Sequence, residues 1–181
     1  MLPAIDPVLS HTLAAALGLV LLSGAWAKLR DPIVFRETLA NYELLPRPIL
    51  GPLAWALTLA EVSAGLLLLP QATRVAGALL GLALMVVVTS GVMLALARGR
   101  GGIDCGCGGG EQSLPLGPGL VLRNLVLMVL LGLAVAPMAV RAVVWIDYPS
   151  IAAATLFLLG TWTLANTMLV QQPRLQALRN L

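Results

Sequence analysis

Cys105 and Cys107 are the chain's two cysteines, and a single glycine separates them in Gly101-Gly102-Ile103-Asp104-Cys105-Gly106-Cys107-Gly108-Gly109-Gly110. Two thiols this close can form a small disulfide ring that departs from relaxed geometry, and such a bond is easier to reduce. The ring encloses almost no chain, so it restrains little unfolded-state entropy and reads as exchangeable rather than as a staple. A structural cysteine would sit on an apolar helix face. The glycine-rich setting instead predicts a dithiol held on a flexible surface loop, open to a partner's active-site loop. Thiolate chemistry needs nearby cations or a helix N-terminus. Arg98 and Arg100 precede the pair, and Arg123 opens a later apolar run; Asp104 opposes thiolate formation unless it accepts a proton. Soft-metal binding stays open, since two thiolates suit copper(I) or a site shared across a dimer. Structural zinc needs four ligands, and the single histidine, His11, is remote in sequence.

Glu61 is the second residue with chemical potential. It lies mid-run in Leu57-Thr58-Leu59-Ala60-Glu61-Val62-Ser63-Ala64-Gly65. A carboxyl group at membrane depth must be protonated or paired within the protein. Proton handling near the dithiol and an interhelical hydrogen bond are both open roles. Asn124 and Asn166 read as interhelical hydrogen bonders, and Trp55, Trp145 and Tyr148 as interfacial anchors.

The surroundings of these residues are apolar. Of 181 residues, 59% are hydrophobic and 10% charged, and mean hydropathy is +0.95. Soluble domains carry about a quarter charged residues, so the composition is that of an integral membrane protein. The formal charge of +3 comes from Lys and Arg at segment ends, with no basic run or aromatic stripe that would suit nucleic acid. Five runs approach the ~20 residues needed to cross ~30 Å of hydrocarbon. They cover about 8–27, 52–69, 73–97, 120–140 and 151–170, the last ending near Pro173. Continuous apolar runs satisfy their backbone as helices and do not alternate as barrel strands would. The expected architecture is all-α, a polytopic transmembrane bundle forming a single domain over 1–181. Gly77 and Gly81 form a small-residue spacing that admits a close neighbour. Ala25-Trp26-Ala27 imitates a signal-peptidase site, but the preceding segment lacks Lys and Arg, so the first run reads as a retained helix. Asp31-Pro32 reads as a helix start, and Phe35, Leu39 and Tyr42 recur at helical spacing before Leu45-Pro46. That predicts a short amphipathic interfacial helix over about 32–45.

Five spans place Lys28, Arg30, Arg36, Arg47, Arg98, Arg100, Arg123, Arg174 and Arg179 at one side, with Arg74 and Arg141 at the other. The positive-inside rule then assigns the dithiol loop to the cytoplasmic face.

Lys28-Leu29-Arg30-Asp31, Phe35, Leu39, Tyr42, Leu44-Leu45-Pro46, Glu61 with Gly65, Cys105-Gly106-Cys107 and Arg123-Asn124 together resemble the methylamine utilisation MauE family, within the DoxX-like group of small membrane proteins. The likeness runs over about three quarters of the chain. It implies a four-helix DoxX/MauE-like core, leaving the fifth, C-terminal transmembrane helix as an addition. It also implies a multi-pass protein of the inner (plasma) membrane that works with a thioredoxin-like, MauD-like partner. The implied task is maturation of a disulfide-containing client outside the cytoplasm, such as the methylamine dehydrogenase small subunit. That compartment is opposite to the one the arginine count assigns. The family pattern carries an aromatic residue after the second cysteine; Gly108 stands there, which bears on partner choice. The cysteine pair before the fourth helix also resembles vitamin K epoxide reductase relatives, which implies a membrane quinone as electron carrier. On this reading Cys105, Cys107, Arg123 and Glu61 carry the chemistry of a thiol–disulfide oxidoreductase. The expected partners are the bilayer, the thioredoxin-like protein and, as an open arrangement, a second copy in a homodimer. A non-catalytic membrane scaffold or chaperone and a soft-metal binder remain the rival classes.

Overall fold

The computed structural model describes residues 5–103, 105, 116–137, 139 and 141–179, with side chains to residue 171. Its elements are six helices: α1 Pro7–Arg30, α2 Pro32–Asn41, α3 Arg47–Leu68, α4 Arg74–Ala97, α5 Pro118–Ala134 and α6 Asp147–Arg179. Helices α1, α3, α4 and the Asp147–Gln171 stretch of α6 are long and apolar enough to cross a membrane. The chain is a multi-pass membrane protein with an all-helical fold.

Several boundaries differ from the sequence reading. The fourth apolar run, expected to reach residue 140, forms a helix of 17 residues that stops at Ala134. At ~1.5 Å per residue it is about 25 Å long, short of the ~30 Å hydrocarbon layer. Pro137 disfavours helix at the residue before it. The chain beyond pairs with the N-terminal segment instead, Ile5 N–H donating to Pro137 O at 2.9 Å and Ala139 N–H to Ile5 O at 2.8 Å. Helix α3 begins at Arg47 rather than near residue 52, and Pro52 lies inside it, giving up the backbone bond it would otherwise donate to residue 48. The last helix does not end at Pro173 but runs on to Arg179, giving up the one backbone bond a proline cannot donate. Asp31 sits at the α2 N-cap position without a side-chain capping bond. Helix α2 itself ends at Asn41, where the chain turns through Glu43 at φ 48°.

Helices α1, α3, α4 and α5 share one core built of Leu17, Leu21, Ala64, Leu68, Ala78, Leu84, Met85, Leu127, Leu131 and Ala134. Small residues let these helices close. A Cβ on Gly18 would stand 3.0 Å from the Gly65 carbonyl oxygen, so α1 and α3 nearly touch through their backbones. A Cβ on Gly77 would meet the Leu68 backbone nitrogen at 2.6 Å, and one on Gly81 the Leu131 side chain at 3.2 Å. The close approach expected at Gly77 and Gly81 is therefore present. Helix α6 packs mainly on α1 and leaves nearly all of its apolar surface outward. Lipid is the solvent for such a surface. Exposed Trp26, Trp55, Trp145 and Tyr148 lie near helix ends or on outer faces, as anchors would.

The two ends of the bundle are closed differently. At the end carrying the N-terminus, Arg141 pairs with Asp6 at 3.3 Å and with Asp147 at 3.1 Å. The Val8 backbone N–H, followed by Arg141, holds the Asp6 carboxyl below its usual range. At the other end lie α2 and the segment between α4 and α5. Phe35, Thr38 and Tyr42 turn inward from α2, while Ile33, Val34, Arg36 and Glu37 face out.

Candidate functional site

Three separate sequence features meet at the α2 end of the bundle. Arg98 Nη1 donates to Glu43 O at 3.2 Å and Arg100 Nη1 to Asn41 O at 3.3 Å, and Arg100 also pairs with the Glu43 carboxylate. Both arginines therefore hold the segment after α4 against the end of α2. Gly102 N–H donates to Leu116 O at 3.0 Å and Leu116 N–H to Ile103 O at 2.8 Å, which zips the base of the cysteine-bearing loop. The turn needs glycine at Gly99 and Gly102, whose φ values are +76° and +85°.

Cys105 corrects the expectation of a dithiol free on the surface. It is disulfide-bonded and only 3% exposed, packed with Tyr42, Val92, Ala95, Leu116 and Leu120. Burial follows from the zipped loop base and from Tyr42, whose Oη donates to the Cys105 carbonyl at 3.1 Å. Cys107 and Asp104 lie outside the described residues. Tyr42→Phe removes a hydrogen bond worth about 1 kcal/mol that holds Cys105 in place. Reduction of the disulfide by a small phosphine should then run roughly fivefold faster, by easier local opening. An unchanged rate would mean that this bond does not govern access to the sulfur.

Glu61 has a partner that sequence inspection missed. Lys28 Nζ lies 2.6 Å from Glu61 Oε2, and both side chains are about nine-tenths buried. The ammonium also donates to Gly24 O at 3.3 Å and stands 5.4 Å from the Phe35 ring centre. Gly24 makes room for the pair, since a Cβ there would fall 2.7 Å from Glu61 Oε1. One signal was available in sequence: Gly24 and Lys28 lie four apart, on one helix face.

Arg123 does not sit at an interface but points into the bundle. Its Nε and Nη2 donate to Asn124 Oδ1 at 3.4 and 3.2 Å, and its Nη1 to Asn166 Oδ1 at 3.2 Å. The guanidinium stands 5.3 Å from the Trp162 ring centre, and Asn124 Nδ2 continues the network to Thr89 Oγ1 at 3.1 Å. Asn124 and Asn166 thus bridge helices as expected. Interior Lys28 and Arg123 drop out of the count of interfacial charge. So does Arg74, buried and donating to Ser10 Oγ at 2.8 Å. Among the described residues Arg30, Arg36, Arg47, Arg98 and Arg100 remain at the loop end, against Arg141 at the other, so the asymmetry persists.

Lys28, Glu61, Cys105, Arg123, Asn124 and Asn166 border one cavity of about 450 Å³, amid leucines and valines from α1, α3, α4 and α5. Sequence reading named Cys105, Glu61 and Arg123; the fold adds Lys28, Tyr42 and Trp162.

The fold and site define a multi-pass helical membrane protein with a buried, disulfide-bonded cysteine lining a polar-ended intramembrane cavity. The family model described as methylamine utilisation protein MauE matches residues 6–137, and the chain belongs to that family. The MauE protein of Paracoccus denitrificans is 36% identical over 143 residues, covering 76% of this chain and 75% of the relative. Those of Methylophilus methylotrophus and Methylorubrum extorquens are 34% and 32% identical over 102 residues, 56% of this chain. The match spans about half the length of these two relatives (54% and 55%). No solved structure matches the chain. The family region contains α1 to α5 with both cysteines; α6, which supplies Trp162 and Asn166, lies beyond it.

Proposed function

We propose that this protein is a thiol–disulfide exchange factor of the inner membrane, serving a thioredoxin-like partner that oxidises a disulfide-containing client. The methylamine dehydrogenase small subunit is the client that the family resemblance implies. The supporting observation is the disulfide-bonded Cys105, held by Tyr42 and the loop zipper at the edge of a cavity that also holds Arg123 and the Lys28–Glu61 pair. Burial keeps Cys105 from a folded partner, so the partner's thiolate attacks the sulfur of Cys107. The old S–S bond breaks, a mixed disulfide forms and Cys105 leaves as a thiolate. The partner's second thiol then attacks the mixed disulfide, releasing an oxidised partner and a reduced cysteine pair that has gained two electrons and two protons. Arg123 and Lys28, the cations that line the same cavity as Cys105, favour its thiolate.

In cells, Cys105→Ser and Cys107→Ser should each abolish client maturation. A thioredoxin-like partner whose second cysteine is replaced by serine should accumulate a covalent complex with the wild-type protein, because its thiolate opens the disulfide at Cys107 and no second thiol resolves the product; neither Cys105→Ser nor Cys107→Ser should form it. Full maturation in both serine variants would instead identify a scaffold. The exchange requires loop and partner to share a compartment, and a topology reporter fused near Leu116 reads which one. An external loop fits maturation of an exported client, whereas the basic asymmetry alone predicts an internal one.

A further inference from the structure

We infer that the cavity binds a single-chain carboxylic amphiphile, a long-chain fatty acid, with its carboxylate on Arg123 and its chain leaving between α4 and α6. Charge points to the head group. Among the described residues the cavity is lined by two cations, Lys28 and Arg123, and one carboxylate, Glu61. Lys28 and Glu61 pair with each other at 2.6 Å. Arg123 is left with neutral neighbours, Asn124, Asn166 and the Trp162 ring. These contacts hold its guanidinium inside the bundle instead of letting it snorkel to the interface. A guanidinium stays charged, and a charge at membrane depth calls for a counter-charge. The described walls therefore carry one positive charge in excess, which an occupant with one negative charge offsets.

Geometry narrows the anion. Arg123 has five N–H groups and uses three on Asn124 and Asn166, which leaves one on each terminal nitrogen. Two such donors match the two oxygens of a carboxylate. Most of the remaining wall is Leu, Val and Met, suited to a hydrocarbon chain, and the volume of about 450 Å³ falls within the ~300–1,000 Å³ of small-molecule sites. Val87 of α4 and Thr163 of α6 both line the cavity and are both exposed, and α6 packs on α1 without packing closely on α4. The gap between α4 and α6 is thus a way in from the bilayer, where fatty acids dissolve. A phospholipid would have to bring two chains and a larger headgroup through the same gap. Nothing in this binding uses the cysteines, so it stands or falls apart from thiol exchange.

Tritiated oleate is the probe, added to immobilised full-length protein in detergent and counted by scintillation proximity. Unlabelled oleate should displace it. Oleyl alcohol, with the same chain and no charge, should compete about tenfold more weakly or worse, as loss of charge-assisted hydrogen bonds does. Arg123→Met should weaken oleate binding by a similar factor and bring oleate and the alcohol level, since the guanidinium is what separates them. Arg123→Lys should recover only part of the loss, keeping the charge without the fork. Gly91 tests the cavity itself: a Cβ there meets only Leu44 Cδ1, at 4.0 Å, so Gly91→Leu grows from α4 into open space. That variant should lose oleate binding at an unchanged melting temperature. Should Arg123→Met fail to fold, the oleate–alcohol comparison on the wild type and the loss in Gly91→Leu still decide. No saturable oleate binding by the wild type, equal competition by the alcohol, or unchanged binding in Gly91→Leu would overturn the proposal. Displacement by phosphatidylglycerol at concentrations no higher than those of oleate would overturn it too, making the cavity a phospholipid site.

Discussion

Lys28→Met should destabilise the protein by about 3–5 kcal/mol, the usual cost of removing one partner of a buried ion pair. The Glu61 carboxylate would stay between α1 and α3, about 10% exposed, without the ammonium now 2.6 Å away. Gly24, whose missing Cβ accommodates the carboxylate, offers that oxygen no donor in exchange. The loss of the Lys28 contact with Phe35 adds to the effect and loosens α2. Lys28→Met combined with Glu61→Leu should be far milder, because no charge is then stranded. Thermal unfolding in detergent, followed by size-exclusion fluorescence, reads the difference. The single variant should fall by on the order of 10 °C and the double by much less. Equal losses would show that the pair acts through packing rather than charge.

Gly77→Val should be nearly as damaging, for a steric reason. Even the first added carbon would stand 2.6 Å from the Leu68 backbone nitrogen and 2.7 Å from the Leu67 carbonyl carbon. Neither atom can rotate away, so the corner joining α3 and α4 must open. Overpacking of this kind costs roughly 1–3 kcal/mol, and a backbone obstacle puts Gly77→Val at the upper end. Gly132→Ala supplies the contrast, because nothing lies within 4 Å of its added Cβ and α5 gains a better helix former. It should stabilise by about 0.5–1 kcal/mol. The same unfolding assay decides, and a Gly77→Val protein as stable as wild type would refute the close α3–α4 approach.

Both predictions concern helix–helix contacts, and these are what the sequence showed only in part. The apolar runs were legible because a bilayer leaves a long chain segment little choice but a helix. The Gly77–Gly81 spacing disclosed a close neighbour without saying which. The length of α5 was overestimated, since a hydropathy run does not register that Pro137 and the pairing with Ile5 take the chain out of the helix. Glu61 was legible as a residue that must be paired or protonated, but not its partner 33 positions away. Lys28 read as an interfacial cation because it follows the last apolar turn of α1.

The amino-acid sequence by itself determined the membrane-spanning helical class, the cysteine pair and the need to neutralise a mid-span carboxyl. These follow from composition and local spacing, which lipid judges segment by segment. Tertiary structure decided that Cys105 is buried rather than displayed, that Arg123 turns inward to Asn166, and that both share a cavity with the Lys28–Glu61 pair. Periodicity reports which face of a helix is apolar. It does not report how neighbouring helices are rotated about their axes, and that rotation brings residues from α1, α3, α5 and α6 to one cavity.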